Sequence, residues 1–287
     1  MLLRTRTLVA LAVGPLLLAG CGGADDSASS DHQAVAAFFP LEWVTAQVGG
    51  PEWDITGLTE PGTEPHDLEL GIGQTAALDG ADVVVFEREF QPAVDEAVAN
   101  VATGIELDAA AVVDLREDDP HFWLDPLLMA DLADAVADAL TESDPDGAAD
   151  YAANADAVRA DLEGLDAAYA EGLASCERTT MVVTHEAFGY LERYGLHFEG
   201  IVGLSPDAEP TPAAIARLQQ LIDDEGITTV FSERLASTAM ADALAADTGV
   251  TTEVLDPIEG PAEGESGSDY VALMEQNLAA LQEAGGC

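Results

Sequence analysis

The sequence predicts an α/β fold of two lobes, each a mostly parallel sheet flanked by helices, joined by one long rigid helix. Three observations predict it. From Ala34 onward short apolar runs alternate with longer helical patterns, as parallel strands covered by crossover helices require. Runs such as Val83-Val84-Val85-Phe86 and Met181-Val182-Val183 are continuously apolar, which suits strands buried on both faces. An uninterrupted Ala-rich stretch from 145 to about 175 separates two sets of such runs, and 287 residues suffice for two ordinary domains.

In chain order, strands are expected at 34–39, 54–58, 81–86 and 111–115, then at 179–184, 198–202, 228–232 and 251–255. Helices are expected between them at 41–48, 68–78, 92–100, 127–140, 212–225 and 238–248. The middle stretch carries Tyr151, Ala155, Val158, Leu162, Leu165, Tyr169 and Leu173 at spacings of three and four, a helical stripe. Asp144, Pro145 and Asp146 supply its start. The expected division is therefore 34–143 for the first lobe, 144–175 for the linking helix and 176–287 for the second lobe.

Composition narrows the function classes. There are 55 Asp and Glu against 9 cationic residues, all arginine, for a net charge of -46. No basic face is available to neutralise phosphates, so nucleic acid is excluded as a partner. Disorder is excluded too, because hydrophobic residues make up 48% of the chain. A charge this large repels itself in dilute buffer. It suits a salt-rich medium, where the Debye length falls to ~3 Å near 1 M.

Arg4 and Arg6 precede an apolar run over 8–18 that ends in Leu18-Ala19-Gly20-Cys21. This is the pattern of a secretory signal peptide over 1–20, and its end resembles a bacterial lipobox with Cys21 as the lipidated residue. An ordinary signal peptide with an incidental cysteine is the alternative. The small polar stretch that follows reads as a flexible tether over 21–33. The body is thus expected outside the cytoplasmic membrane, held to its outer face by a lipid. In an exported protein the remaining pair, Cys176 and Cys287, reads as a disulfide.

His66, His121 and His185 each lie at a strand end or just before a helix, where α/β proteins place ligand groups. Asp256 and Glu233 follow strands in the same way. Three imidazoles and one carboxylate make a tetrahedral zinc set. They are far apart in sequence, so spacing proves nothing, and each histidine singly is more commonly a helix-start or core residue with a satisfied hydrogen bond. His32, in the tether, and His197, at a strand start, read as incidental and structural. Trp43, Trp53 and Trp123 read as packing residues, and Asp118 and Asp119 as a solvated acidic turn. Asp67 and Glu186 read either as helix-start acids or as groups that orient the neighbouring histidines.

Several ordered motifs carry a resemblance. They are Pro61-Gly62-Thr63-Glu64-Pro65-His66-Asp67, Asp119-Pro120-His121-Phe122-Trp123-Leu124-Asp125-Pro126 and Thr184-His185-Glu186-Ala187-Phe188-Gly189-Tyr190-Leu191. Gly203-Leu204-Ser205-Pro206-Asp207-Ala208-Glu209-Pro210, Val230-Phe231-Ser232-Glu233 and Tyr270…Asn277-Leu278 add to them. Together they resemble the zinc/manganese substrate-binding proteins of ABC uptake systems, from about Ala34 to the last residue. The resemblance implies metal between two lobes, with His66 and His121 from the first and His185 and Asp256 from the second. It implies Glu233 as a supporting group or alternative oxygen ligand, and a permease with its ATPase as partners of a monomeric carrier.

A third imidazole at His185 favours Zn²⁺ over Mn²⁺ or iron. Leu115-Arg116-Glu117-Asp118-Asp119 stands where many zinc members carry a His-rich loop, and contains no histidine. Two other classes remain as readings: a zinc hydrolase and a surface adhesin. Against the first, no His-Glu-x-x-His helix and no Gly-x-Ser-x-Gly elbow occur.

Overall fold

Eight strands among the described residues form two four-stranded sheets, both wholly parallel and both of the same order. The computed structural model describes residues 32–116, 119–264 and 269–287. The expected signal peptide, Cys21, Asp118 and most of the tether lie outside them.

The first lobe runs β1 (His32–Ala36), α1 (Phe39–Gly49), β2 (Trp53–Gly57), α2 (Ile72–Gly80), β3 (Val83–Phe86), α3 (Pro92–Val101), β4 (Ile105–Asp108), α4 (Ala109–Val112) and α5 (Pro126–Ser143). Its sheet order is β2-β1-β3-β4. After α6 (Ala148–Gly172) the second lobe runs β5 (Thr180–Val183), β6 (His197–Gly200), α7 (Pro212–Glu225), β7 (Thr229–Ser232), α8 (Ala239–Thr248), β8 (Thr251–Val254) and α9 (Tyr270–Gly285). Its order, β6-β5-β7-β8, repeats the first. In each sheet the order reverses at the first strand, so a crevice opens at the carboxyl ends of the strands.

Two expectations are corrected. The strand placed at 111–115 lies instead at Ile105–Asp108, paired with β3. The Asp108 carboxylate accepts the Ala110 N–H at 3.1 Å, and that cap turns the Ala-rich run after it into the short helix α4. The closing helix α9 was not among the expected elements. Asp269 caps it through the Val271 N–H.

The linking helix α6 buries Tyr151, Ala155, Val158, Leu162, Leu165 and Tyr169, the stripe read from the sequence. It is no isolated strut. At 1.5 Å per residue its 25 residues span about 37 Å, and it packs on α1 and α5 of the first lobe and on α9 of the second. Tyr169 donates its hydroxyl to Met274 O at 2.7 Å. A disulfide joins Cys176 to Cys287, closing the end of α9 onto the segment after α6.

One continuous core runs through the first lobe, α6, α9 and the inner side of the second lobe, and holds Phe38, Phe122, Trp123, Tyr151 and Tyr270. A separate, smaller cluster of Val182, Ile201, Leu218, Ile222, Val230 and Leu244 lies under α7 and α8. Among the described residues no helix is long and apolar enough to cross a membrane.

Candidate metal centre

Four side chains meet at the carboxyl ends of the two sheets. His66 sits on the loop between β2 and α2, and His121 just before the 3₁₀ turn Phe122–Leu124. His185 follows β5, and Glu259 follows β8. Their ligand atoms all lie within 4.8 Å of one another. His121 Nε2 is 3.4 Å from His185 Nε2. Glu259 Oε1 is 3.3 Å from His66 Nε2, 3.4 Å from His121 Nε2 and 3.5 Å from His185 Nε2. A tetrahedron with metal–ligand bonds near 2.05 Å has edges of about 3.3 Å, and these four separations fit that edge length. His121 and His185 are fully buried, while the His66 side chain keeps 14% exposure and marks the solvent side.

Two of the imidazoles are aimed by carboxylates on the opposite ring nitrogen. Glu233 Oε1 takes His185 Nδ1 at 2.7 Å and also accepts the His185 N–H at 3.1 Å. Asp119 Oδ1 does the same for His121, at 2.8 Å to Nδ1 and 3.1 Å to the N–H. Each carboxylate engages Nδ1, so that Nε2 is the nitrogen turned toward the cluster. Glu233 thus backs His185 and does not join the cluster. Asp119, expected in a solvated turn, is buried and holds the His121 ring.

The fourth member of the cluster is not the expected acid. Asp256 lies outside the cluster: its Oδ1 accepts the Ile258 N–H at 2.8 Å, and its Oδ2 faces Arg234 Nε at 3.6 Å. Asn277 clasps its backbone from both sides, accepting the Asp256 N–H and donating to Asp256 O. Asp256 therefore builds the turn, and Glu259 enters the site from it. Ile258 is held at φ 59°, a left-handed conformation that a β-branched residue rarely adopts, and such strain gathers where surrounding structure enforces a functional geometry. The sequence signal was the Asp-Pro turn after β8: the site acid lies three residues past the strand-end acid.

Charge and burial set the protonation of the cluster. Burial raises the Glu259 carboxyl, but hydrogen bonds from the three histidines outweigh it and hold Glu259 well below the usual carboxylate range. Burial alone would depress His185, yet its bonds to Glu233 and Glu259 lift it to about 10. Glu64, which accepts the His66 N–H at 3.3 Å, is pushed up to about 8 by burial and the neighbouring Glu259 charge. Glu64 also borders a cavity of about 580 Å³ lined by Pro206, Asp207, Leu235 and Met240.

The other named residues fall outside the cluster. Asp67 and Glu186 are exposed. His197 is exposed and held between Glu192 and Glu199. His32 begins β1 and stacks on Trp53 at 5.0 Å, which ties it to the fold. Trp43, Trp53 and Trp123 are core residues.

A buried donor cage closed by two similar parallel sheets and a connecting helix defines a two-lobed solute-binding protein. The chain belongs to the family described as zinc-uptake complex component A, periplasmic, whose model matches residues 34–284. It is 33% identical over 293 residues to the zinc-binding lipoprotein AdcA of Streptococcus pneumoniae, covering 93% of this chain but only 58% of that protein. It is 31% identical over 299 residues to the high-affinity zinc uptake system protein ZnuA of Bacillus subtilis, covering 94% of each. The Zn(II)-bound ZnuA-like domain of S. pneumoniae AdcA superposes with a TM-score of 0.78 at 34% identity, over 89% of this chain and 99% of that one. The laminin-binding protein Lmb of Streptococcus agalactiae, described as bifunctional with adhesin and metal-transporting activity, gives 0.82 at 26% identity, over 88% and 99%.

Proposed function

We propose that this chain captures Zn²⁺ outside the cytoplasmic membrane and delivers it to an ABC permease driven by its ATPase. The observation that carries this reading is the close cluster of three imidazole nitrogens and one carboxylate oxygen, all within 4.8 Å of one another and supplied by both lobes. Three neutral nitrogens with one oxygen suit zinc, whereas manganese favours oxygen-rich sites of higher coordination. With all four corners filled by protein, the centre lacks the open position that a catalytic zinc needs, so the reading is a carrier and not a hydrolase. Cys21 supplies a lipid anchor in this reading, and the carrier acts as a monomer.

Calorimetric competition between Zn²⁺ and Mn²⁺ tests it. One zinc per chain, bound more tightly than manganese and without hydrolytic turnover, is expected; a preference for manganese overturns it. Glu259→Ala should weaken zinc by more than the ~100-fold upper range of supporting-residue substitutions, and Asp256→Asn by less. The reverse order would return Asp256 to the fourth corner.

A further inference from the structure

The segment that carries His121 belongs to the first lobe but is fastened to the second. At one end Trp123 Nε1 donates to Pro257 O at 2.7 Å, and the Tyr270 hydroxyl donates to Trp123 O. At the other end stands Tyr190, on the 3₁₀ segment Ala187–Tyr194 that follows His185. Its hydroxyl accepts the Arg116 N–H at 2.8 Å and donates to Asp119 O at 3.0 Å. Asp119 N–H also donates to Arg116 O at 3.2 Å. The Arg116 guanidinium donates to Gly189 O and, at 2.9 Å, to Glu192, and lies over the Tyr190 ring. Gly189 also admits the Asp119 carboxylate closely, since a Cβ there would stand 2.6 Å from Asp119 Oδ2.

We propose that Tyr190 is a positioning residue for metal capture: reaching across from the second lobe, its hydroxyl ties Arg116 to Asp119, whose carboxylate aims His121 at the cation. This rests on the zinc reading above. One hydroxyl serves as donor and acceptor at once, so phenylalanine fills the same space without tying Arg116 to Asp119. Burial first, and then the nearby Asp119 and Glu87 charges, push the Tyr190 phenol up to about 12, so it keeps its proton. The consequence is structural coupling. His121 is aimed only while the lobes are in contact, and the second lobe presents His185 and the Tyr190 hydroxyl from one short stretch of chain.

The test is Tyr190→Phe in the full-length chain, read by zinc competition titration and by the visible spectrum of the Co²⁺-loaded protein. Zinc affinity is expected to fall about 10- to 100-fold, the range for groups that orient a ligand, with a changed cobalt band. The metal-free melting temperature should stay near wild type. In an Asp119→Asn background the same change should cost less than about threefold, because coupled residues do not add. Wild-type affinity and spectrum in Y190F, or losses that multiply in the double variant, overturn the proposal. If Y190F does not fold, Gly189→Ala carries the test: displacing Asp119, it should alter affinity and cobalt spectrum alike, and no change overturns the proposal. Failure of the wild-type chain to bind zinc would instead sink the carrier reading itself.

Discussion

The two lobes share one strand order and hold their cluster residues in opposite ways. In the second lobe His185 directly follows β5, and Glu259 sits on a tight turn after β8 that Asp256 and Asn277 brace. In the first lobe His66 and His121 ride on long excursions beyond the strands, and the second of these is clamped from across the cleft. The cores differ in the reverse sense. The first lobe shares the large aromatic core with α6 and α9, while the outer layer of the second rests on a small aliphatic cluster. A precise half of a binding site therefore does not require the larger core. It requires short leads from strand to ligand.

The largest effects should come from the ligands. His121→Ala and His185→Ala each remove a fully buried, carboxylate-backed donor, and zinc affinity measured by competition should fall by more than about 100-fold. His66→Ala should cost less, because water can enter from that side and fill the corner. Equal losses at all three would erase the contrast between the solvent-facing ligand and the enclosed ones.

Protonation comes next. His185, lifted to about 10 in the metal-free protein, is charged at neutral pH and must lose a proton to bind zinc. Affinity should therefore rise with pH, by about tenfold per unit for one proton, and continue rising above neutrality. Levelling near 6.5, where an unperturbed histidine titrates, would show that the second lobe does not hold His185 protonated. Calorimetry in buffers of different ionisation heat counts the released proton.

The core contrast predicts a smaller effect. Leu218→Ala, in the outer cluster, should lower stability by about 2–5 kcal/mol and change zinc affinity little. Hydrogen exchange should open α7 and α8 before α5 and α6; simultaneous exchange would merge the two cores into one cooperative unit. The smallest shift is expected from salt: with a net charge of -46, screening should raise the melting temperature by several degrees.

Much of the fold was legible because it rests on local chemistry. Continuous apolar runs marked β3 and β5, and three-and-four spacing marked the buried stripe of α6. β4 was misplaced because an edge strand buries little, so its Ile105 and Leu107 signal was weaker than the Ala-Val run beside it. At the site, His66, His121 and His185 were legible as rare residues in motif positions. Glu259 and the Asp119 and Tyr190 supports were not. Among 55 acids, Glu259 is marked in sequence only by its place just past the Asp-Pro turn.

By itself the sequence determined the two-lobed α/β class, the linking helix, the cysteine pair and three imidazoles, all written in periodicity or in scarcity. The tertiary structure alone decided which acid completes the cluster and which lobe steadies which ligand. Those choices depend on a strained turn at Ile258 and on hydrogen bonds spanning more than seventy residues. Distances of that kind exist only once both lobes are folded against α6.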